Sequence, residues 1–198
     1  MNIKTAHLGD AQAVYRVYRD SPDYFQMLGT EIPTAAEVEL ELGLALMDPR
    51  RHVELIEHGG KVVGLLDWKE AYPEPQDMTV NLLLLSPAQR GTGLGSRVMW
   101  DLESRLPANT ARLMASVLGE NPAGARFWER LGYRFAVDAR PVMTWYAKPL
   151  HPAPATEPSR SAAGLRTTGT AREAALLPSG AAERPGGLGT QALPLRVS

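Results

Sequence analysis

The 198-residue chain carries 21 basic and 22 acidic side chains, a formal net charge of −1, and no cysteine. The balanced charge offers no basic surface for a polyanion, so nucleic acid is not an expected partner. The missing thiols exclude disulfides, thiolate metal sites and any acyl-cysteine intermediate.

The 3 Phe, 4 Trp and 6 Tyr all fall at or before Tyr146. Since a core needs such residues, one domain over 1–150 is expected. Residues 151–198, rich in Ala, Pro, Gly, Ser and Arg, have too little apolar surface to offset their ordering entropy and read as a disordered tail. No apolar run approaches the ~20 residues of a membrane span, and the amino terminus lacks the apolar stretch of a signal peptide. No membrane contact and a cytoplasmic address are therefore expected.

In chain order, a strand near "NIKTA" precedes a helix that Asp10 can cap, with Val14, Val17 and Tyr18 at helical spacing. "SPDYFQML" restarts the pattern, with Ser21 in the cap position and Pro22 just inside. "TAAEVELELGLALMD" opens with Thr34 and Glu37 at capping-box spacing and puts Val38, Leu42, Ala45 and Leu46 on one face. From His52 the period changes to that of strands around Gly59 and Gly60, a hairpin signature. "AYPEPQDM" reads as a proline-broken loop, and "TVNLLLLS" as a central strand buried on both faces. Leu94, Val98, Leu102 and Leu106 form the stripe of the next helix. "ARLMASVLG" reads as a strand. "ENPAGARFWERLG" is a helix capped by Asn121, with Pro122 inside and Gly132 past its end. Two closing strands follow, and the whole order is that of a mixed α/β layer.

Between the buried strand and the helix at Leu94 lies "RGTGLGS". Unpaired N–H groups converge at such a helix N-terminus, and glycines let an anion approach them. Residues 90–96 are thus a candidate phosphate cradle, with Arg90 adding a cation. A Walker loop is excluded because no Gly-Lys-Ser/Thr occurs. A dinucleotide fingerprint, with Glu120 as the ribose acid, fits less well, because its third glycine is replaced by Ser96.

"RGTGLG" resembles the (Gln/Arg)xxGx(Gly/Ala) acetyl-CoA motif of the GNAT superfamily of N-acetyltransferases, and "ENPAGARFWERLGYRF" is similar to that superfamily's second signature. The resemblance covers about residues 3 to 149. It implies a mixed α/β fold with a mostly antiparallel central sheet, two splayed parallel strands and flanking helices. It also implies acetyl-CoA as cosubstrate, with no metal, and an amine acceptor attacked directly. Whether the domain forms a homodimer is left open. A non-catalytic acyl-CoA-binding module is the alternative reading.

Under the resemblance, Leu84 and Leu85 would offer backbone bonds to the pantetheine. Arg90, Gly91, Thr92, Gly93, Leu94, Gly95 and Ser96 would surround the diphosphate. Phe127 and Trp128 would pack near the cofactor, and Asn121 would contact the pantetheine or a water. The Leu85 N–H would serve as oxyanion donor and Asn81 would hold a water. Trp128 occupies the position where the superfamily often has a tyrosine acid, and indole cannot supply that proton; the direction of Tyr133 is left open. Asp67, Glu70, Glu74 and Asp77 are candidate bases, with a solvated acidic loop as the plainer reading, and Asp23 beside Tyr24 and Phe25 would suit a cationic amine. His7, His52, His58 and His151 lack metal-ligand spacing and read as surface residues.

Overall fold

The computed structural model describes residues 1–139 and 143–151. Apart from His151, the expected tail lies outside the described residues. The strands are β1 (Asn2–Thr5), β2 (Arg51–His58), β3 (Lys61–Glu70), β4 (Asp77–Leu85), β5 (Arg112–Leu118), β6 (Arg134–Ala139) and β7 (Met143–Pro149). The helices are α1 (Ala11–Arg19), α2 (Pro22–Leu28), α3 (Ala35–Leu46), α4 (Leu94–Arg105) and α5 (Pro122–Arg130). One seven-stranded sheet runs β1-β2-β3-β4-β5-β7-β6. Every neighbouring pair is antiparallel except β4 and β5. This is the mixed, mostly antiparallel α/β architecture that the resemblance implied.

The continuous apolar run of β4 is explained by its two covered faces. Leu82 and Leu84 join Val14, Val17, Phe25, Val38 and Leu42 in a core beneath α1, α2 and α3. Val80 and Leu85 join Leu94, Val98, Leu102, Trp128 and Tyr133 beneath α4 and α5. A strand with apolar packing on both sides has no polar face to display, so alternation disappears.

Local signals place most elements. Thr34 Oγ1 accepts from Glu37 N–H (3.3 Å) while Glu37 Oε2 accepts from Thr34 N–H (2.7 Å), completing the capping box. Gly59 and Gly60, at φ +59° and +75°, supply the two left-handed residues of a type I′ hairpin between β2 and β3. Asp10 and Ser21 stand in N-cap positions, but neither side chain makes the expected cap bond. Asp10 instead accepts from His7 N–H (3.0 Å), closing the 3-10 turn ahead of α1, and Ser21 Oγ is buried without a partner among the described residues.

The expected acidic loop is also different. Asp77 opens β4 and is buried, and the Arg112 guanidinium from β5 donates to both its oxygens (2.8 and 2.5 Å). The same two residues are register partners, so this ion pair clamps one end of the parallel pair.

Candidate functional site

From that clamp β4 and β5 stay in register through Met78↔Leu113 and Thr79↔Met114 to Val80↔Ala115, and there the pairing stops. β4 continues to Leu85 and β5 to Leu118 without further bridges. At the parting point Ser116 Oγ donates to the Asn81 carbonyl (3.0 Å), a side chain taking the place of a ladder bond. Beyond it opens a cleft of about 680 Å³, bordered by β4, β5 and the N-terminal ends of α4 and α5. Backbone groups on the separated edges would be costly to leave unpaired in a dry interior, so the gap is suited to a ligand with amide groups of its own.

Strand alternation tells which backbone groups face the gap. Ser86 N–H donates to Val63 O (2.8 Å), so the Leu84↔Leu65 pair is also hydrogen-bonded and the Leu85↔Gly64 pair is not. Leu85, and with it Leu83, turns N–H and C=O toward β5. Leu84 lines the cleft, but its backbone is committed to β3. Leu83 is therefore a gap-facing backbone that the sequence reading missed, because pairing parity is set by the partner strand.

At the other side of the cleft, Gly93 caps α4 with φ +83° and no side chain caps the helix. Gly91 has φ +75°. A Cβ added at either position would meet open space, so these two glycines are needed for their backbone conformation rather than for clearance. Gly95 has the opposite reason: a Cβ there would come within 3.1 Å of Phe127 Cε2. Gly91, Gly93, Gly95 and Ser96 line the cleft, whereas Leu94 is fully buried in the core. Thr92 is exposed and donates Oγ1–H to Gln89 O (2.8 Å). The arrangement offers free amides and the positive end of a 12-residue helix to an anion.

Arg90 lines the same cleft but is already engaged. Its Nε donates to Leu85 O (2.8 Å), and its guanidinium pairs with the Asp23 carboxylate at the start of α2. That hydrogen bond from Arg90 holds the Asp23 carboxyl below the usual carboxylate range. Asp23, expected on the acceptor side, is thus paired with Arg90 beside the glycine turn.

The Asn121 Oδ1 accepts from Gly124 N–H (2.7 Å), capping α5 at the cleft's edge. A Cβ on residue 124 would come within 2.7 Å of Asn121 Nδ2, so Gly124 lets the Asn121 side chain sit as it does, a contact that the sequence reading overlooked. Phe127 and Trp128 both line the cleft and meet edge to face at 4.9 Å. Tyr133 is fully buried against Trp128, with its hydroxyl directed to Glu103 Oε1 (3.4 Å). Burial, then the Glu103 charge, raises its pKa far beyond any useful acid, and it does not line the cleft.

Among the proposed bases, Asp67 and Asp77 are neither solvated nor free. Asp67 is paired with Arg51 through three contacts of 2.5–3.2 Å. Glu70 Oε1 lies 2.7 Å from His52 Nε2, and Glu74 is exposed. His52 departs from the surface role expected for all four histidines: it is half-buried and stacks on Trp68 at 4.1 Å.

With a split parallel pair, an uncapped glycine turn and a cleft joining them, the comparisons with known proteins agree. Residues 12–133 match the model of the acetyltransferase (GNAT) family. The chain belongs to that family. Among solved structures, an acetyltransferase from Thermus thermophilus is similar at 36% identity and TM-score 0.73, over 75% of this chain and 96% of the other. At 16% identity, the ribosomal-protein-S18-alanine N-acetyltransferase from Escherichia coli shares the fold, with TM-score 0.57 over 79% and 97% of the two chains. A ribosomal L7/L12 alpha-N-protein acetyltransferase in complex with coenzyme A does so at 13% identity and TM-score 0.60, over 74% and 92%. No curated protein gives a significant match. This GNAT chain is accordingly an acetyltransferase, a family that uses acetyl-CoA. No helix among the described residues is long and apolar enough to cross a membrane.

Proposed function

We propose that this GNAT domain moves the acetyl group of acetyl-CoA to a primary amine by direct attack within the cleft between β4 and β5. The observation that carries the reading is the set of uncapped α4 amides opening onto the same cleft as the separated edge of β4. The diphosphate would sit on the amides of residues 91–96, with the pantetheine arm along the gap-facing backbone of Leu83 and Leu85. Asn121, which lines the cleft with Oδ1 committed to its cap, would have its Nδ2 left as a donor. Acetyl-CoA supplies a thioester at the level of Leu85, whose N–H would stabilise the oxyanion.

In the transfer, the amine nitrogen forms a bond to the acetyl carbonyl carbon and the carbon–sulfur bond breaks. The proton lost by nitrogen is balanced by the one gained by sulfur. Solvent can carry it, because a thiol with an ordinary pKa near ~8.5 is an adequate leaving group without a protein acid. Trp128 lines the cleft but its indole cannot supply that proton, and the buried Tyr133 does not line it. The chain contains no cysteine to form an acyl-enzyme through sulfur. The domain over 1–150 would suffice for the reaction.

The test is amine-dependent thiol release from acetyl-CoA against a panel of primary amines and amino-terminal peptides, with masses of the products. Acetylated amine at the rate of thiol release is the expected result. Tight CoA binding with no amine-dependent release would refute transfer to amines and leave a CoA-binding module.

A further inference from the structure

Arg51 on β2, Asp67 on β3 and Asn81 on β4 form one chain of contacts that ends in the cleft. The Arg51 and Asp67 side chains are only 7% and 1% exposed. Arg51 Nε and Nη2 both donate to the Asp67 carboxylate, which in turn accepts from Asn81 Nδ2 (3.2 Å). The Arg51 guanidinium is thus the counter-charge that accompanies this buried carboxylate. Asn81 lines the cleft, and its Oδ1 has no partner among the described residues.

The backbone explains why Asn81 reaches both neighbours. The β3–β4 register steps from Asp67↔Leu82 to Trp68↔Val80, which makes Asn81 the extra residue of a β-bulge. A bulge re-aims the side chain of its extra residue and interrupts the ladder. It stands one residue past the last bridge between β4 and β5, where the cleft begins.

We infer that Asp67, anchored by Arg51, fixes the orientation of the Asn81 amide so that its Oδ1 faces the cleft and accepts a hydrogen bond from an N–H of the acceptor amine. The reverse rotamer would set Oδ1 about 3.2 Å from a carboxylate oxygen, two acceptors in contact with no proton between them. In this rotamer Oδ1 can hold only a donor, while the second Nδ2 proton stays available to a hydrogen-bond acceptor. Oδ1 so placed favours an acceptor amine that presents N–H at the reacting nitrogen, and it directs the nitrogen lone pair away from Asn81. Asp67 and Arg51 are then positioning residues and Asn81 is the one that touches substrate. The inference rests on the transfer reading above.

Three measurements test it. In the wild-type protein, the Asn81 side-chain amide protons should exchange with solvent at least roughly tenfold more slowly than those of exposed Asn109, since a hydrogen bond to a charged group retards exchange. Exchange as fast as that of Asn109 would overturn the inference without any substrate. Asn81→Leu should lower kcat/KM for the best amine of the panel by roughly ten- to a hundredfold, the loss of one charge-supported hydrogen bond, while the Kd of CoA changes less than about twofold. Wild-type kinetics in this variant would also overturn it. Asp67→Asn should raise the KM for the amine about tenfold and speed exchange of the Asn81 amide; loss of folded protein with an unchanged KM would mean that Asp67 only supports the fold. Where Asp67→Asn does not fold, the first two measurements decide. If the wild-type protein acetylates no amine, the transfer reading fails, whereas an active wild type indifferent to Asn81→Leu sinks this inference alone.

Discussion

The two ends of the cleft are built in different ways. The proposed diphosphate end is one continuous turn, residues 90–96, whose amides converge because Gly91 and Gly93 take left-handed backbone angles and a helix follows. The proposed acceptor end is assembled from three strands, with Asn81 fourteen residues from Asp67 and Asp67 sixteen from Arg51. A local turn specifies its geometry through its own residues. The acceptor end depends on register, a bulge and a buried ion pair, so it is sensitive to changes far from it.

That contrast is sharpest at Gly93. Gly93→Val forces a β-branched residue to φ +83° and should reduce CoA affinity more than about a hundredfold, measured by calorimetry, while the far-ultraviolet spectrum stays that of the folded domain. Retained affinity would mean that the α4 amides do not hold the diphosphate. Gly95→Ala keeps an allowed backbone but presses a Cβ to within 3.1 Å of Phe127. It should cost about 1 kcal/mol or less in denaturant unfolding, because the helix propensity of alanine partly offsets the overpacking, with a smaller effect on CoA. Phe127→Leu in the same chain should recover part of that stability.

Asp23 bears on whether Arg90 is reserved for the diphosphate. Because the Arg90 hydrogen bond lowers the Asp23 pKa, the pair is intact above the ordinary carboxylate value of ~3.9 and is lost only as pH falls through the lower folded value. Asp23→Asn should therefore strengthen CoA binding a few-fold at neutral pH by releasing Arg90 and removing a negative charge. The gain should shrink with salt, since both side chains are substantially exposed. Weaker binding would show that Asp23 presents Arg90 rather than competing for it.

The smallest effect is expected from ending the chain after His151, whose Nε2 lies 2.9 Å from Ala108 O and is best kept. Unfolding free energy should change by less than about 0.5 kcal/mol, as for changes away from the core, and CoA affinity should be unchanged. A large loss in either would show that residues 152–198 support the domain.

Much of this protein was legible in its residues because the causes are local. A capping box at Thr34 and Glu37, two glycines at 59 and 60, an apolar run at 82–85 and a glycine turn before a helix each act over a few positions. Asn121 marked the start of α5 in the same way, although its dependence on Gly124 lay in the packing. The acidic residues were misread for the opposite reason. Asp77 sits in a proline-rich stretch that suggests a solvated loop, yet it is buried at the start of β4 and its partner Arg112 is thirty-five residues away. Asp23 looked like an acceptor-side acid until the fold brought it to Arg90, sixty-seven residues on. Serine in the apolar run "ARLMASVLG" was a signal available in the sequence, for a hydroxyl in a buried strand needs a partner, and Ser116 finds it where β4 and β5 part.

By itself the sequence determined the family, the order of strands and helices and the glycine turn before α4, since backbone angles, caps and apolar periodicity are written within a few consecutive residues. Only the tertiary structure decided where β4 and β5 separate, which backbone groups of β4 face the gap and which carboxylates are free. Those outcomes depend on strand register and on charges paired across tens of residues, and a linear pattern carries no distance between them.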